Sequence, residues 1–152
     1  MNVAQTIRRG LQGVLGQKPV AKAWLDRDTA VRLLKTGSLR GQNVDGTDFR
    51  GFGLDSRDLS QASMNHTNLN KVNLNYSYMN ETSLMGADLK NATLKDATLF
   101  NATLDWADLR GTSLEGADLR GASLRGASMD TKTRLGGVIL DDGRGNTYTL
   151  LD

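Results

Sequence analysis

Catalysis needs a nucleophile, a proton carrier or a bound ion held in fixed geometry, so the residues able to supply one come first. Histidine occurs once, as His66, which excludes a two-histidine metal site and argues against a Ser-His-Asp arrangement. Cysteine is absent, removing disulfides, thiolate nucleophiles and cysteine-ligated zinc or iron–sulfur centres. The 17 Asp and Glu residues recur as part of a regular pattern and form no isolated pair. Gly51-Phe52-Gly53 and Gly143-Arg144-Gly145 are rich in glycine but match no phosphate loop. No catalytic, cofactor-binding or metal-ligating constellation emerges. The expectation is a protein without enzyme activity and without a cofactor.

What positions these side chains is an array of period five. From Leu39 an apolar residue recurs at every fifth position through Val44, Phe49 and Leu54 to Leu119, Leu124 and Met129, 19 positions of which 14 are leucine. Two residues before each lies a small site, alanine in nine cases, with Gln42, Phe52 and Arg57 as exceptions near the start. Asp, Asn, Ser or Thr usually sits between the two, and glycine often closes the unit. On a helix, five residues advance about 500°, so the leucines would form no face. A long strand would throw alternate leucines to opposite sides. A short extended piece followed by a corner satisfies both registers: small and large sites point inward, their neighbours outward, and glycine or a small polar residue suits the turn. Stacked units of this kind make a β-solenoid.

Units such as Ala87-Asp88-Leu89-Lys90-Asn91 and Ala107-Asp108-Leu109-Arg110-Gly111 resemble those of the pentapeptide repeat family. The resemblance implies an all-β solenoid, a right-handed quadrilateral parallel β-helix with four pentapeptides per coil. Nineteen repeats then make almost five coils, a rod roughly 23 Å tall at ~4.8 Å per paired strand. Three parts are expected: residues 1–36 as an N-terminal α-helical segment and cap, 37–131 as the β-helix, and 132–152 as a tail with a short C-terminal β-hairpin.

Residues 1–37 carry seven basic and two acidic residues and no repeat. Asp28 is the expected N-cap of a helix from Thr29 to Lys35, with Val31 and Leu34 on one side and Gly37 as its stop. Upstream, Ile7, Leu11, Val14 and Leu15 are spaced as an amphipathic helix interrupted by Gly10 and Gly13. Ile7, Arg8, Arg9 and Leu11 are its candidate contact residues, whether it packs on the cap, enters a partner's groove or lies on an anionic membrane surface. No apolar run reaches the ~18 residues of a membrane span. Thr6-Ile7-Arg8-Arg9 is not followed by a proper signal-peptide core, so the expected location is the cytoplasm. After Met129 the pattern is expected to stop. Val138-Ile139-Leu140 and Thr147-Tyr148-Thr149-Leu150-Leu151 read as two strands of a hairpin that caps the last coil or extends it into a homodimer contact.

With four units per coil, residues 20 apart stack. Arg50, Asn70, Lys90 and Arg110 then stand beside Asp48, Asn68, Asp88 and Asp108, a surface ion-pair ladder. Asparagines from Asn65 to Asn80 can bond along the rod, and His66 falls on an outward corner. More telling are large apolar residues at outward sites: Met85, Phe100 and Trp106, with Tyr76 and Tyr78 nearby in sequence. Exposed apolar patches mark contacts, so these three are the candidate partner-binding residues. The expected function is a scaffold or interaction module for a protein partner whose identity the sequence does not name. The alternative is a DNA-mimicking inhibitor or protector of DNA gyrase or another topoisomerase, as the resemblance implies for fluoroquinolone-resistance members. Residues 38–131 hold 9 basic and 12 acidic residues, which is too little negative charge for a good mimic. Direct nucleic-acid binding by the basic N-terminal segment lacks a recognisable motif.

Overall fold

The computed structural model describes residues 25–151. Helix α1 (Arg27–Thr36) is followed by the repeat ladder, then by strands β1 (Ile139–Asp141) and β2 (Thr147–Thr149), which pair antiparallel. Between them the chain winds in four-sided coils. Each outward residue just before a large site makes a single parallel bridge to the residue 20 positions on, from Ser38–Asp58 to Asp108–Ser128. Every fifth residue from Leu39 to Leu119 is buried. The core is therefore one continuous apolar column.

Backbone hydrogen bonding explains the rest of the repeat. In the unit around Leu89, Leu89 N–H donates to Asp108 C=O in the next coil and Asn91 N–H to Arg110 C=O, while Ala92 N–H donates back to Leu89 C=O and closes the corner. One donor per unit, on the residue after the large site, points outward and needs a side-chain acceptor. The preceding Asp or Asn supplies it, as Asp88 Oδ1 does for Lys90 (3.1 Å) and Asn73 for Asn75 (3.0 Å). Elsewhere an Asn or Asp one coil earlier does so, as Asn65 does for Met85 (3.0 Å) and Asp105 for Arg125 (3.0 Å). Asn65, Asn75 and Asn80 thus hold the next coil's backbone, and the bonding expected along the rod also includes the hydroxyls of Ser83 and Thr93, which donate to Asn65 and Asn73 one coil earlier.

Asp26, not Asp28, caps α1: its carboxylate accepts from Thr29 N–H (2.9 Å) and from the Thr29 hydroxyl (3.0 Å). An N-cap side chain accepts from an N–H two or three residues on, as Asp26 does; Asp28 already lies in the first turn, where negative charge suits the helix dipole. Gly37, at φ 112°, ends the helix. Ala30 and Leu34 are buried in the same core as Leu39, Val44 and Phe49. Arg27 donates to Asp48 C=O (3.0 Å) and lies 4.8 Å from the centre of the Phe52 ring, which meets Phe49 edge-on. A large residue fits the small site at Phe52 because α1 replaces a preceding coil there.

The ladder does not stop at residue 131. Ser113 bridges Arg134 and Asp118 bridges Ile139, a spacing of 21. One extra residue enters after Met129, and the two-site pattern resumes as Thr133/Leu135 and Val138/Leu140. Asp130 makes the wider corner workable: its Oδ1 accepts from Gly111 N–H (2.9 Å), Lys132 N–H (3.0 Å) and Thr133 N–H (3.1 Å). The boundary expected at 131 therefore moves to β1, which is both the last rung of the ladder and the first strand of the hairpin.

Candidate functional site

The outer surface divides by face. On the face of Leu69, Leu89 and Leu109, charges neutralise one another: Arg50–Asp48 at 2.8 Å, Lys90–Asp88 at 3.3 Å, Lys90–Asp108 at 3.9 Å and Arg110–Asp108 at 2.6 Å. The expected ion-pair ladder is present. Hydrogen bonds from Arg50, Arg110 and Arg120 hold the carboxyls of Asp48, Asp108 and Asp118 below their ordinary value of 3.8, Asp48 at about 2. Folded-state values below the unfolded ones mean stabilisation that is present above pH ~4 and lost as pH falls through the folded values. The melting temperature should therefore hold between about pH 7 and pH 5 and drop between about pH 4 and pH 2. Thermal melts with Asp118→Asn should recover part of that drop.

Two of the other three faces carry the large apolar residues. Phe100 (43% exposed) and Met85 (40%) lie on adjacent faces, and Trp106 (70%) stands at the corner after Met85. No described element covers them. The structure adds Tyr78 (53% exposed), on Phe100's face one coil earlier, and Tyr76 at the edge of that face. Sequence reading had grouped these tyrosines only by proximity along the chain. A shift of 20 shows the placement: Tyr78 stacks with Asp58, Thr98 and Asp118, while Phe100 shares a column with Asn80 and Arg120. The Arg120 guanidinium lies 6.0 Å from the Phe100 ring centre and bonds Asp118 through two nitrogens (2.6 and 2.9 Å).

These apolar residues occupy positions that the repeat uses for hydrogen bonding. Tyr78 stands where Asp or Asn would accept from Asn80 N–H, and Met85 where one would accept from Asp105 N–H. Neither donor has an acceptor among the described residues; the same holds for Asp55 and Glu115 N–H, which follow Gly53 and Ser113, but only at Tyr78 and Met85 does a large exposed apolar side chain take the acceptor's place. The buried Thr98 hydroxyl, in Tyr78's column, is also without a partner. Each lost bond costs about 1 kcal/mol, and folding gains nothing visible from exposed rings in return.

Trp106 is held differently. It adopts φ 62°, a region unfavourable for a bulky residue, and its ring lies against Gly126 so closely that a β-carbon there would overlap ring atoms Cε3 and Cζ3. His66 packs likewise on Gly86 and is otherwise a surface residue. Gly126→Ala should push the indole off its platform. In a Trp24→Phe background, the expected result is a red shift of Trp106 fluorescence with little change in far-ultraviolet circular dichroism.

Ile7, Arg8, Arg9 and Leu11 lie outside the described residues. Among those described, no cluster of three or more His, Cys, Asp or Glu has metal-holding geometry, and no helix is long and apolar enough to cross a membrane.

Comparison with known proteins bears on the fold. A family model for pentapeptide repeats matches in 8 copies over residues 58–91, 78–116 and 102–141. No curated protein matches the chain. Among solved structures, a pentapeptide repeat protein of the Arabidopsis thaliana thylakoid lumen is 29% identical, with a TM-score of 0.65 over 73% of this chain and 81% of that one. Rfr23, a pentapeptide repeat protein from Cyanothece 51142, is 26% identical over 70% of this chain and 97% of its own, with a TM-score of 0.27. QnrB1, a plasmid-mediated fluoroquinolone resistance protein, is 13% identical over 81% and 91%, with a TM-score of 0.28. At those scores neither of the last two speaks to function.

Proposed function

The chain belongs to the pentapeptide repeat family, whose members fold as right-handed quadrilateral β-helices, and from that membership we propose that it is a non-enzymatic interaction module presenting a rigid face to a protein partner. The rod has about five coils, with α1 as its N-terminal cap. Tyr78 and Phe100 form the centre of the binding face, with Met85 and Trp106 continuing it around the corner. The observation that carries this reading is the replacement of hydrogen-bonding side chains by exposed apolar ones at Tyr78 and Met85, leaving backbone donors without protein acceptors. Aromatic side chains of this kind dominate contact energies at protein interfaces.

Topoisomerase binding by DNA mimicry is the weaker reading. Asp48, Asp88, Asp108, Asp118 and Asp105 are each paired with Arg or Lys, so the surface of the described residues offers no continuous acidic track resembling a phosphate backbone. Affinity capture with the wild-type chain beside a Tyr78→Ala/Phe100→Ala double variant tests the proposal. The expected result is a protein retained by the wild type and released by the variant. Equal retention by both would remove these residues from the contact. Inhibition of purified DNA gyrase supercoiling by the wild-type chain near stoichiometric concentration would restore the mimic.

A further inference from the structure

The two ends of the rod are finished differently. At the N-terminal end, α1 lies over the first coil: Leu39, Val44 and Phe49 are fully buried, Leu25 N–H donates to Asn43 C=O, and Arg27 takes Asp48 C=O. At the C-terminal end the hairpin stands along one side and leaves the last coil's floor open. Leu124 is partly exposed and Met129 is 41% exposed. The backbone N–H groups of Leu124, Gly126 and Met129 have no acceptor among the described residues.

The hairpin supplies a second open feature. Leu140 pairs with Tyr148, flanked by Leu150 N–H to Val138 C=O and Asp142 N–H to Asn146 C=O. Antiparallel geometry then turns the N–H and C=O groups of Thr147 and Thr149 away from β1, and neither N–H has an acceptor among the described residues. Natural sheets protect such an edge with charge, proline or a bulge. Residues 145–151, Gly-Asn-Thr-Tyr-Thr-Leu-Leu, carry neither charge nor proline. Tyr148 shares a side of the hairpin with Leu140, above the open floor, and is 52% exposed; Leu151 is 90% exposed.

We propose that this end is the interface of a two-fold homodimer in which β2 pairs antiparallel with β2 of a second copy. The edge is complementary to itself: a two-fold axis through Tyr148 sets Thr147 opposite the partner's Thr149 and the partner's Thr147 opposite Thr149, satisfying all four outward donors. The end itself is small. Sides of about 10 Å in backbone, set by the roughly three extended residues of each unit at ~3.3 Å each, widen with side chains to an end of roughly 400 Å², about half the ~800 Å² per partner of a stable interface, so the paired β2 edge carries much of the contact. Because α1 closes the other end, tail-to-tail contact terminates at two copies, whereas two open ends would grow a fibre. The dimer joins the sheets bearing Tyr78 and Phe100 into one continuous face.

Sedimentation velocity on the full chain from about 1 to 100 µM tests this. The expected species has twice the 16.5 kDa chain mass. Thr149→Pro, which blocks the outward edge without removing a bond to β1, and Met129→Arg should each return it to the single-chain mass. Phe100→Ala should leave it dimeric. Thr149→Pro stands as the deciding variant if Met129→Arg does not fold. A monomeric wild type at 100 µM, or a dimer indifferent to Thr149→Pro, overturns the proposal.

Discussion

Leu94→Asp is expected to abolish the cooperative unfolding transition altogether. Leu94 is fully buried, midway along a column with Leu74 one coil before it and Leu114 one coil after. Truncating such a leucine to alanine costs about 2–5 kcal/mol. A carboxylate adds a desolvation penalty of several kcal/mol, since no cation or donor reaches the column to pair with it. Domains of this size are stable by only about 5–15 kcal/mol, so the sum takes up most or all of that stability. The architecture compounds the effect. Each coil contacts only its neighbours, and a disrupted central coil separates the capped N-terminal part from the rest. Urea denaturation followed by circular dichroism would check this, with Leu124→Asp as the comparison. Leu124 is partly open at the C-terminal end, so its carboxylate stays hydrated and the transition should survive with a lower midpoint. A cooperative transition for Leu94→Asp within about 2 kcal/mol of wild type would show that the column tolerates charge, contrary to the cost of burying an unpaired ion.

The interior was legible because period five has one physical solution: when every fifth residue is large and its second neighbour small, only a corner-turning coil buries both. The ends were harder to read because the coil no longer dictates them. Phe52 broke the small-site rule on paper, yet it sits where α1 and Arg27 replace a coil. The extra residue after Met129 hid two further units, because Thr133/Leu135 and Val138/Leu140 keep the pattern one position late. That insertion is tolerated through three bonds to a single carboxylate, Asp130, which no periodicity reveals. Asp28 was the cap expected from sequence, whereas Asp26 is the one that caps α1. The choice between them turns on where the helix begins, which its packing against the first coil determines. The face proposed for binding was half visible. Met85, Phe100 and Trp106 stood out as large residues in outward register, whereas the juxtaposition of Tyr78 with Phe100 needed the 20-residue stacking applied to every outward column, not to one.

Replacing Tyr78 and Phe100 together by alanine should weaken partner binding by about 100-fold or more while leaving the fold intact, which separates this face from the rest of the surface. Both side chains lie outside the core, and their removal uncovers no buried leucine. The expected stability change is accordingly within about 0.5 kcal/mol, as for surface substitutions generally. Restoring the acceptor by Tyr78→Asn should even raise stability by up to about 1 kcal/mol, since Asn80 N–H would regain the bond made by other units. Binding responds oppositely: an aromatic anchor at an interface centre is worth about 2 kcal/mol or more, and two together exceed the 2.7 kcal/mol that corresponds to roughly 100-fold. Arg120 sharpens the comparison. It is held by Asp118 over the Phe100 ring, so Arg120→Ala should lower affinity less than Phe100→Ala and in a salt-dependent manner. Isothermal titration with the captured partner, beside urea denaturation of each variant, would measure both quantities. A variant that loses stability in proportion to affinity would make Tyr78 and Phe100 structural residues. One that binds better in Tyr78→Asn would show that the rings are surface residues with no part in recognition.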